Sequence, residues 1–304
     1  MSLLVTGSIG IDTVEAPTGK VEDALGGSAV YFAQAASFFG PVRLVGVVGE
    51  DCPPGFLKPL EDNPNIDLAG LEVREGSKTF RWHGKYHDDV NHRDTISVEL
   101  NVLGEAGPKI PESFRDSDYV FLANTHPGLQ AELLGQLTAP KFVVADTMDL
   151  WIETERDALY DLLGKIDGIV LNDGEAIQLT EKPNAIHAGL EIAGYCKHFC
   201  VVKKGEHGGV LFLDGKSYPL PGYPATNVVD PTGAGDSFAG GMMGYLAATD
   251  GEDMDMPVRI KRAIAYGTVV ASLELEDFSL AKLAAIGRED IDRRLDEFFE
   301  LTRF

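Results

Sequence analysis

Short apolar runs ending in polar residues recur along the chain, and stretches with helical spacing of apolar positions lie between them. Residues 3–6 (LLVT) and 42–49 (VRLVGVVG) read as buried strands, the first ending at Gly7-Ser8 and the second at Glu50-Asp51. Between them, Gly26-Gly27-Ser28 opens a helical stretch, AVYFAQAASFFG, which Gly40-Pro41 closes. From Tyr119 the alternation resumes, with YVFLAN, KFVVAD, GIVLND and FCVVKKG as four strand candidates separated by helical segments. GVLFLDGKSYPLPG reads as a β-hairpin turning at Asp214-Gly215. The chain beyond Met256 reads as helix and ends in a charged helix from Arg288. This β/α alternation predicts an α/β fold with a mostly parallel central sheet between helical layers. No internal repeat or linker interrupts it, so residues 1–304 are expected to form a single domain.

Two segments depart from the alternation. Residues 15–23 are polar, carry Pro17 and Gly19, and read as loop or short edge strand. Residues 77–102 alternate, are rich in Thr, Tyr, Trp and Val, and turn near Asp88-Asp89, which predicts a hairpin or small antiparallel sheet inserted in the α/β chain. His83 and His87 lie there, but four strand residues at ~3.3 Å each separate them by about 13 Å, too far to share a metal.

In an open parallel sheet the ligand crevice lies outside the carboxyl ends of the strands. The clusters that close the four later strands should therefore face one cleft. They are Asn124-Thr125-His126, Asp146-Thr147-Met148, Asn172-Asp173-Gly174-Glu175 and Lys203-Lys204-Gly205.

Composition narrows the partners. With 48 acidic and 26 basic residues the formal charge of the 304-residue chain is −22, which repels nucleic acid and anionic membranes; neither is expected as a partner. At 44% hydrophobic and 24% charged residues the composition is that of an ordinary globular protein. The three cysteines, Cys52, Cys196 and Cys200, are too few and odd in number for a disulfide framework. No apolar run reaches the ~18–20 residues of a membrane span, and the first residues lack a basic leader, so a cytoplasmic location is expected.

The strongest chemical signal is residues 227–248, NVVDPTGAGDSFAGGMMGYLAA. Gly233-Ala234-Gly235 lets ligand oxygens approach backbone amides closely, and the helix that follows aims unsatisfied N–H groups and partial positive charge at the same point. Asp236 stands at that helix start, where the dipole favours its ionised, proton-accepting form. An anion cradle beside a base suits phosphoryl transfer to a hydroxyl; a tightly packed glycine-rich helix is the structural alternative. No G-x-x-x-x-G-K-[ST] occurs, and Gly7 and Gly10 do not complete G-x-G-x-x-G, which disfavours P-loop and dinucleotide-binding enzymes.

DPTGAGDSFAGG resembles the C-terminal signature of the ribokinase-like, or PfkB-type, carbohydrate kinases, and Gly26-Gly27 resembles their N-terminal double-glycine motif. The resemblance runs along nearly the full length. It implies a ribokinase-like three-layer α/β/α fold with a small β-sheet lid, here about residues 12–25 and 77–102. It further implies Asp236 as catalytic base, with the amides of Gly233, Ala234 and Gly235 as anion hole. Asp12, Gly26, Gly27, Tyr31 and Asn124 are the expected substrate-side residues, with Trp82, Asn91 and Arg93 reaching in from the lid. Lys203, Gly205, Gly208, Thr232, Gly233 and Gly235 are expected on the ATP side.

Asn172 and Glu175 match the family's Asn-x-x-Glu pattern, which implies Mg2+ held through water. The local alternative is a helix cap with Glu at the third position. Asp230 resembles a residue near a monovalent cation site. Departures bear on the substrate: Gly10 and Tyr31 stand where ribokinases carry asparagines, and Met148 follows a strand after which asparagine is common. Tyr31 could stack on a base or flat sugar face, or pack within its helix. The expected function is ATP-dependent phosphorylation of a small sugar or nucleoside. The alternative is a non-catalytic sensor of sugar or nucleotide on the same fold. A homodimer through the exposed lid edge is a further expectation.

Overall fold

Uninterrupted apolar runs become interior strands of one large sheet, because a strand covered by helices on both faces has no polar side to show. The computed structural model describes residues 1–303. In chain order the strands are β1 (Leu3–Thr6), β2 (Gly10–Ala16), β3 (Gly19–Gly26), β4 (Val42–Gly49), β5 (Ile66–Arg74), β6 (Phe80–Tyr86), β7 (Arg93–Glu99), β8 (Tyr119–Leu122), β9 (Phe142–Asp146), β10 (Gly168–Asn172), β11 (Phe199–Lys203), β12 (Gly209–Leu213) and β13 (Lys216–Leu220). The helices are α1 (Ser28–Ala36), α2 (Lys58–Glu61), α3 (Pro127–Gly135), α4 (Asp149–Thr154), α5 (Arg156–Leu163), α6 (Asp173–Thr180), α7 (Ala185–Ala193), α8 (Ala234–Ala248), α9 (Met256–Glu274), α10 (Ala281–Ala285) and α11 (Arg288–Leu301).

The large sheet has nine strands in the order β13-β12-β11-β10-β9-β8-β1-β4-β5. All neighbours pair parallel except β11 with β12 and β12 with β13. Strand alternation sorts its side chains into two cores. Leu3 and Val5 pack with Phe32 of α1, Met242 of α8 and Ile264 of α9; Leu4 points the other way, toward Leu133, Leu162, Leu179 and Ile192 of α3, α5, α6 and α7. The chain builds outward from β1 through β4 and β5, then returns to β8 and builds the other way. That reversal places the topological switch point, and hence the crevice, at the carboxyl ends of β1 and β8. β5 is unexpected from the pattern, because an edge strand half open to solvent lacks the continuous apolar signal of its neighbours.

The second sheet has the order β3-β2-β6-β7 and brings together residues far apart in the chain. Residues 15–23, read as loop or edge strand, finish β2 and begin β3 around a turn at Pro17 and Thr18. β6 pairs parallel with β2 and antiparallel with β7, whose seven residues are all exposed. The hairpin turn at Asp214 and Gly215 has φ of 51° and 70°, the left-handed pair such a two-residue turn requires. Among the described residues no helix is long and apolar enough to cross a membrane.

α8 approaches α1 so closely that glycine is required along its flank. A Cβ on Gly240 would stand 2.5 Å from the carbonyl oxygen of Phe32 and 2.7 Å from Ala35 Cβ. Gly240→Val is therefore expected to destabilise the protein by about 1–3 kcal/mol through overpacking, read as a lower midpoint in urea with an unchanged m-value.

Candidate active site

The turn before α8 is fixed from three directions. Asp230, fully buried, accepts a hydrogen bond from the Thr232 amide at 2.8 Å through Oδ1, which folds the backbone into an Asx turn. Gly233 caps α8 in the left-handed region, φ 88°, and the ring of Tyr31 lies so close beneath it that a Cβ would meet ring atoms at 2.4 Å. Of the two readings open for Tyr31, the ring packs against this turn. The amides of Gly233 and Gly235 donate to no protein acceptor among the described residues, leaving them to a ligand.

Asp236 follows in the first turn of α8, half-buried at the cleft. The helix dipole was expected to hold it ionised, but desolvation is the larger influence and pushes its carboxyl up to about 6, against the opposing charges of Lys203 and Arg93. A carboxylate with this balance still accepts a proton near neutral pH. Lys203, the last residue of β11, brings its ammonium to the same turn: a Cβ at Gly235 would stand 2.7 Å from Lys203 Nζ. Asp146 closes β9 beside them, buried, with Oδ1 unpartnered and its acidity held well below normal by burial and by Asp236.

Asn172 and Glu175 adopt the capping geometry. Asn172 Oδ1 accepts from the Glu175 amide and Glu175 Oε2 accepts from the Asn172 amide, both at 2.8 Å. Burial raises the Glu175 carboxyl above its ordinary range. The 203–208 loop is a tight turn in which Lys204 N donates to Gly208 O at 2.7 Å, and Gly205 and Gly208 take φ of 55° and 80°. A Cβ on Gly208 would lie 2.2 Å from the Leu220 carbonyl oxygen, so the loop is held against β13.

Asp12 of β2 is 4% exposed, has no partner for Oδ1, and is pushed up to about 8 by burial and by Asp230 and Asp236. Gly26 is cleared for it, since a Cβ there would overlap Asp12 Oδ2 at 1.9 Å. Gly27 has φ 106° and leads into α1 directly over the Ser8 carbonyl. Asn124 is engaged on both sides: Trp151 Nε1 donates to its Oδ1 at 3.0 Å, and its Nδ2 donates to Met148 Sδ at 3.1 Å. It therefore stands in the cleft as part of a Trp151 and Met148 wall.

The small sheet spans these parts. Tyr86 OH accepts from Thr232 Oγ1 at 3.2 Å, Thr18 Oγ1 donates to the Val229 carbonyl at 2.7 Å, and Asn91 Nδ2 donates to Glu206 Oε2 at 2.9 Å. Arg93 stacks over the Trp82 ring at 5.6 Å.

Two site residues have no motif to announce them. Phe80 of β6 fills the space over Gly10, where a Cβ would meet its ring at 2.6 Å. Glu274 is completely buried at the end of α9 with both carboxylate oxygens unpartnered, and burial with Asp230 and Asp236 pushes its carboxyl well above the usual range. The only signal for Glu274 was one acid inside the apolar stretch VVASLEL.

The pfkB family carbohydrate kinase model matches residues 3–283. A cytidine kinase of Thermococcus kodakarensis is 31% identical over 253 residues, which cover 81% of this chain and 88% of that protein. The nucleoside kinase of Burkholderia thailandensis, solved with inosine, superposes with a TM-score of 0.78 at 20% identity, covering 98% of this chain and 99% of that one. A nucleoside kinase of Methanocaldococcus jannaschii, described as an archaeal member of the ribokinase family, gives 0.76 at 19% identity over 97% and 98%. With a ribokinase-like fold and a family match over nearly its whole length, the chain belongs to the pfkB family of carbohydrate kinases and is an ATP-dependent kinase.

Proposed function

We propose that this kinase transfers the γ-phosphoryl group of ATP to a hydroxyl of a nucleoside, with Asp236 as the base. The observation that carries the chemistry is the position of Asp236, one residue past Gly235, beside amides that have no acceptor of their own. Asp236 accepts the hydroxyl proton as the oxygen attacks. The amides of Gly233 and Gly235 stabilise the charge that develops on the phosphoryl oxygens, while the Ala234 amide, expected with them, donates to the Pro231 carbonyl at 3.3 Å and holds the turn. Asp12 accepts from the hydroxyls of the substrate sugar, a role suited to its unpartnered Oδ1.

A nucleoside is favoured over a free sugar for two reasons. The relative with 31% identity over most of both chains is a cytidine kinase. Phe80 also brings an aromatic ring to Gly10 beside Asp12, a larger stacking partner for a planar base than for a small sugar. Lys203, Gly205, Gly208 and Thr232 flank the ATP phosphates. The Asn172 and Glu175 box uses Glu175 Oε2 and leaves Oε1 open, which fits the water shell of a Mg2+ arriving with ATP. That ion supplies charge neutralisation when bound. Asp230 Oδ2 and the Glu274 oxygens, buried and unpartnered, fit a monovalent cation by their donor chemistry. The small sheet serves as the lid of a single-domain enzyme, tying the substrate side to the nucleotide loop through Tyr86 and Asn91. Its free edge β7, with Ile96 and Val98 exposed, suits pairing with a second copy.

Asp236→Asn is expected to lower kcat by at least ~100-fold with little change in ATP affinity; retained turnover would remove Asp236 as base. Because Asp236 must be ionised and is pushed up to about 6, log kcat/KM should fall below that pH and level above it, with the acidic limb missing from the residual activity of Asp236→Asn. In a coupled ADP-release assay, nucleosides should exceed free pentoses and cyclitols in kcat/KM by ~10-fold or more, about 1.4 kcal/mol, and Phe80→Ala should narrow that gap. A preference for a free sugar would refute the substrate assignment and leave the kinase chemistry standing.

A further inference from the structure

Lys203 is placed unlike an ordinary surface lysine. It ends β11 half-buried, and its ammonium stands within 2.7 Å of where a Gly235 side chain would begin, at the mouth of the amide cradle. Its backbone pairs with β10 and β12, but its ammonium has no salt bridge within 4.0 Å and no hydrogen-bond acceptor among the described residues. Three carboxylates from three different elements face it: Asp146 at the end of β9, Glu175 in α6 and Asp236 in α8. An ammonium surrounded by acids at hydrogen-bond distance from none of them is a cation held ready for a further anion. The cradle beside it is where the phosphoryl group of the proposed reaction would lie.

We propose that Lys203 is a catalytic residue whose ammonium contacts a non-bridging oxygen of the phosphoryl group in the 233–235 cradle while facing the Asp236 carboxylate from the same position. This rests on the reading of Asp236 as base. In the step, the substrate O–H proton passes to Asp236 and the substrate oxygen bonds to the γ-phosphorus. The bond from that phosphorus to the β,γ-bridging oxygen breaks with its electron pair, leaving ADP. Lys203 takes no part in the bond changes and contributes charge alone.

Such a placement couples two properties that a merely nucleotide-binding lysine would leave separate. Lys203 is the largest influence lowering the Asp236 pKa, opposing the desolvation that raises it. The other groups around Asp236 are Arg93 of β7, the second cation, and the acids Asp12 of β2, Asp146 of β9, Asp230 before α8 and Glu274 of α9, with the Tyr31 phenol of α1. With one cation removed from so acidic a ring, the base should protonate at higher pH.

The test is steady-state kinetics across pH for the full-length wild-type chain, Lys203→Met, Lys203→Gln, Lys203→Arg and Asp236→Asn, with ADP binding and thermal melts run alongside. Lys203→Met should lower kcat by roughly 100-fold and move the acidic limb of kcat/KM to higher pH. Lys203→Arg should restore the limb and part of kcat. Lys203→Gln gives the same reading should Met disturb folding. A rise in the KM for ATP with kcat and the limb unmoved would overturn the proposal, reducing Lys203 to a binding residue; no change in any quantity would overturn it equally. Full turnover in Asp236→Asn would overturn the base assignment and the coupling with it. Turnover lost in Asp236→Asn but kcat and limb unmoved in Lys203→Met would overturn the Lys203 proposal alone.

Discussion

The close approach of α1 and α8 is the constraint on which the site depends. Glycine at 240 and 244 lets the α8 backbone settle against Phe32 and Ala36 carbonyls of α1, and Gly241 lets it settle against Gly267 of α9. α1 therefore has two tasks. Its body fixes the direction of α8, and Tyr31 supports the turn from which the α8 amides emerge. Its own start, at Gly27, sits over the Ser8 carbonyl at the crevice, on the side proposed for the substrate. One helix pair thus sets the distance between the substrate end and the phosphate end, and neither can shift without the other.

That rigidity holds together a cluster of charges that would otherwise separate. Asp12, Asp146, Asp230 and Glu274 are all buried, and Asp236 half so, with Lys203 acting on Asp236 and Asp146 and Arg93 on Asp236. Burial raises all five carboxyls, Asp12 to about 8 and Asp236 to about 6. Between the ordinary carboxylate pKa and those values the folded chain holds protons that the unfolded chain has released. These groups therefore subtract stability as pH rises through that window. The surrounding packing is what keeps so many acids together. It also gives the lone ammonium of Lys203 more effect than one charge would have in water.

The parts legible in the sequence are those with a local signature. Apolar runs marked β1, β4 and β8 through β12, and polar strand ends placed the cleft. The glycine turn with Asp236 marked the α8 terminus, because its chemistry is made by consecutive backbone atoms. The second sheet was half legible: residues 77–102 alternate, but β2 and β3 lie in a polar stretch, and β2 gains its second neighbour, β6, from some 70 residues away. Asn172 and Glu175 show a different limit. A capping box and a water-mediated metal site need the same two residues at the same spacing, so spacing cannot choose between them; the capping geometry is present, and it leaves one carboxylate oxygen free. Asn124 was legible as a strand end, but its ties to Trp151 and Met148 depend on where α4 packs.

The difference between the two ends of the cleft explains why the reaction class could be read before the substrate. At the proposed phosphate end, recognition would be by backbone amides and a helix terminus, which tolerate few sequences and so leave a compact motif. At the proposed substrate end, Asp12, Gly10 and Phe80 come from two strands of a sheet paired across the chain, and the Phe80 ring fits there because position 10 lacks a side chain. A ring placed over a glycine exchanges a hydrogen-bonding side chain for an aromatic face. That exchange leaves the phosphoryl chemistry intact and alters what stacks above Asp12. Under the proposed reading, single residues of the small sheet would set what the site accepts, while the turn before α8 is fixed by its packing on Tyr31.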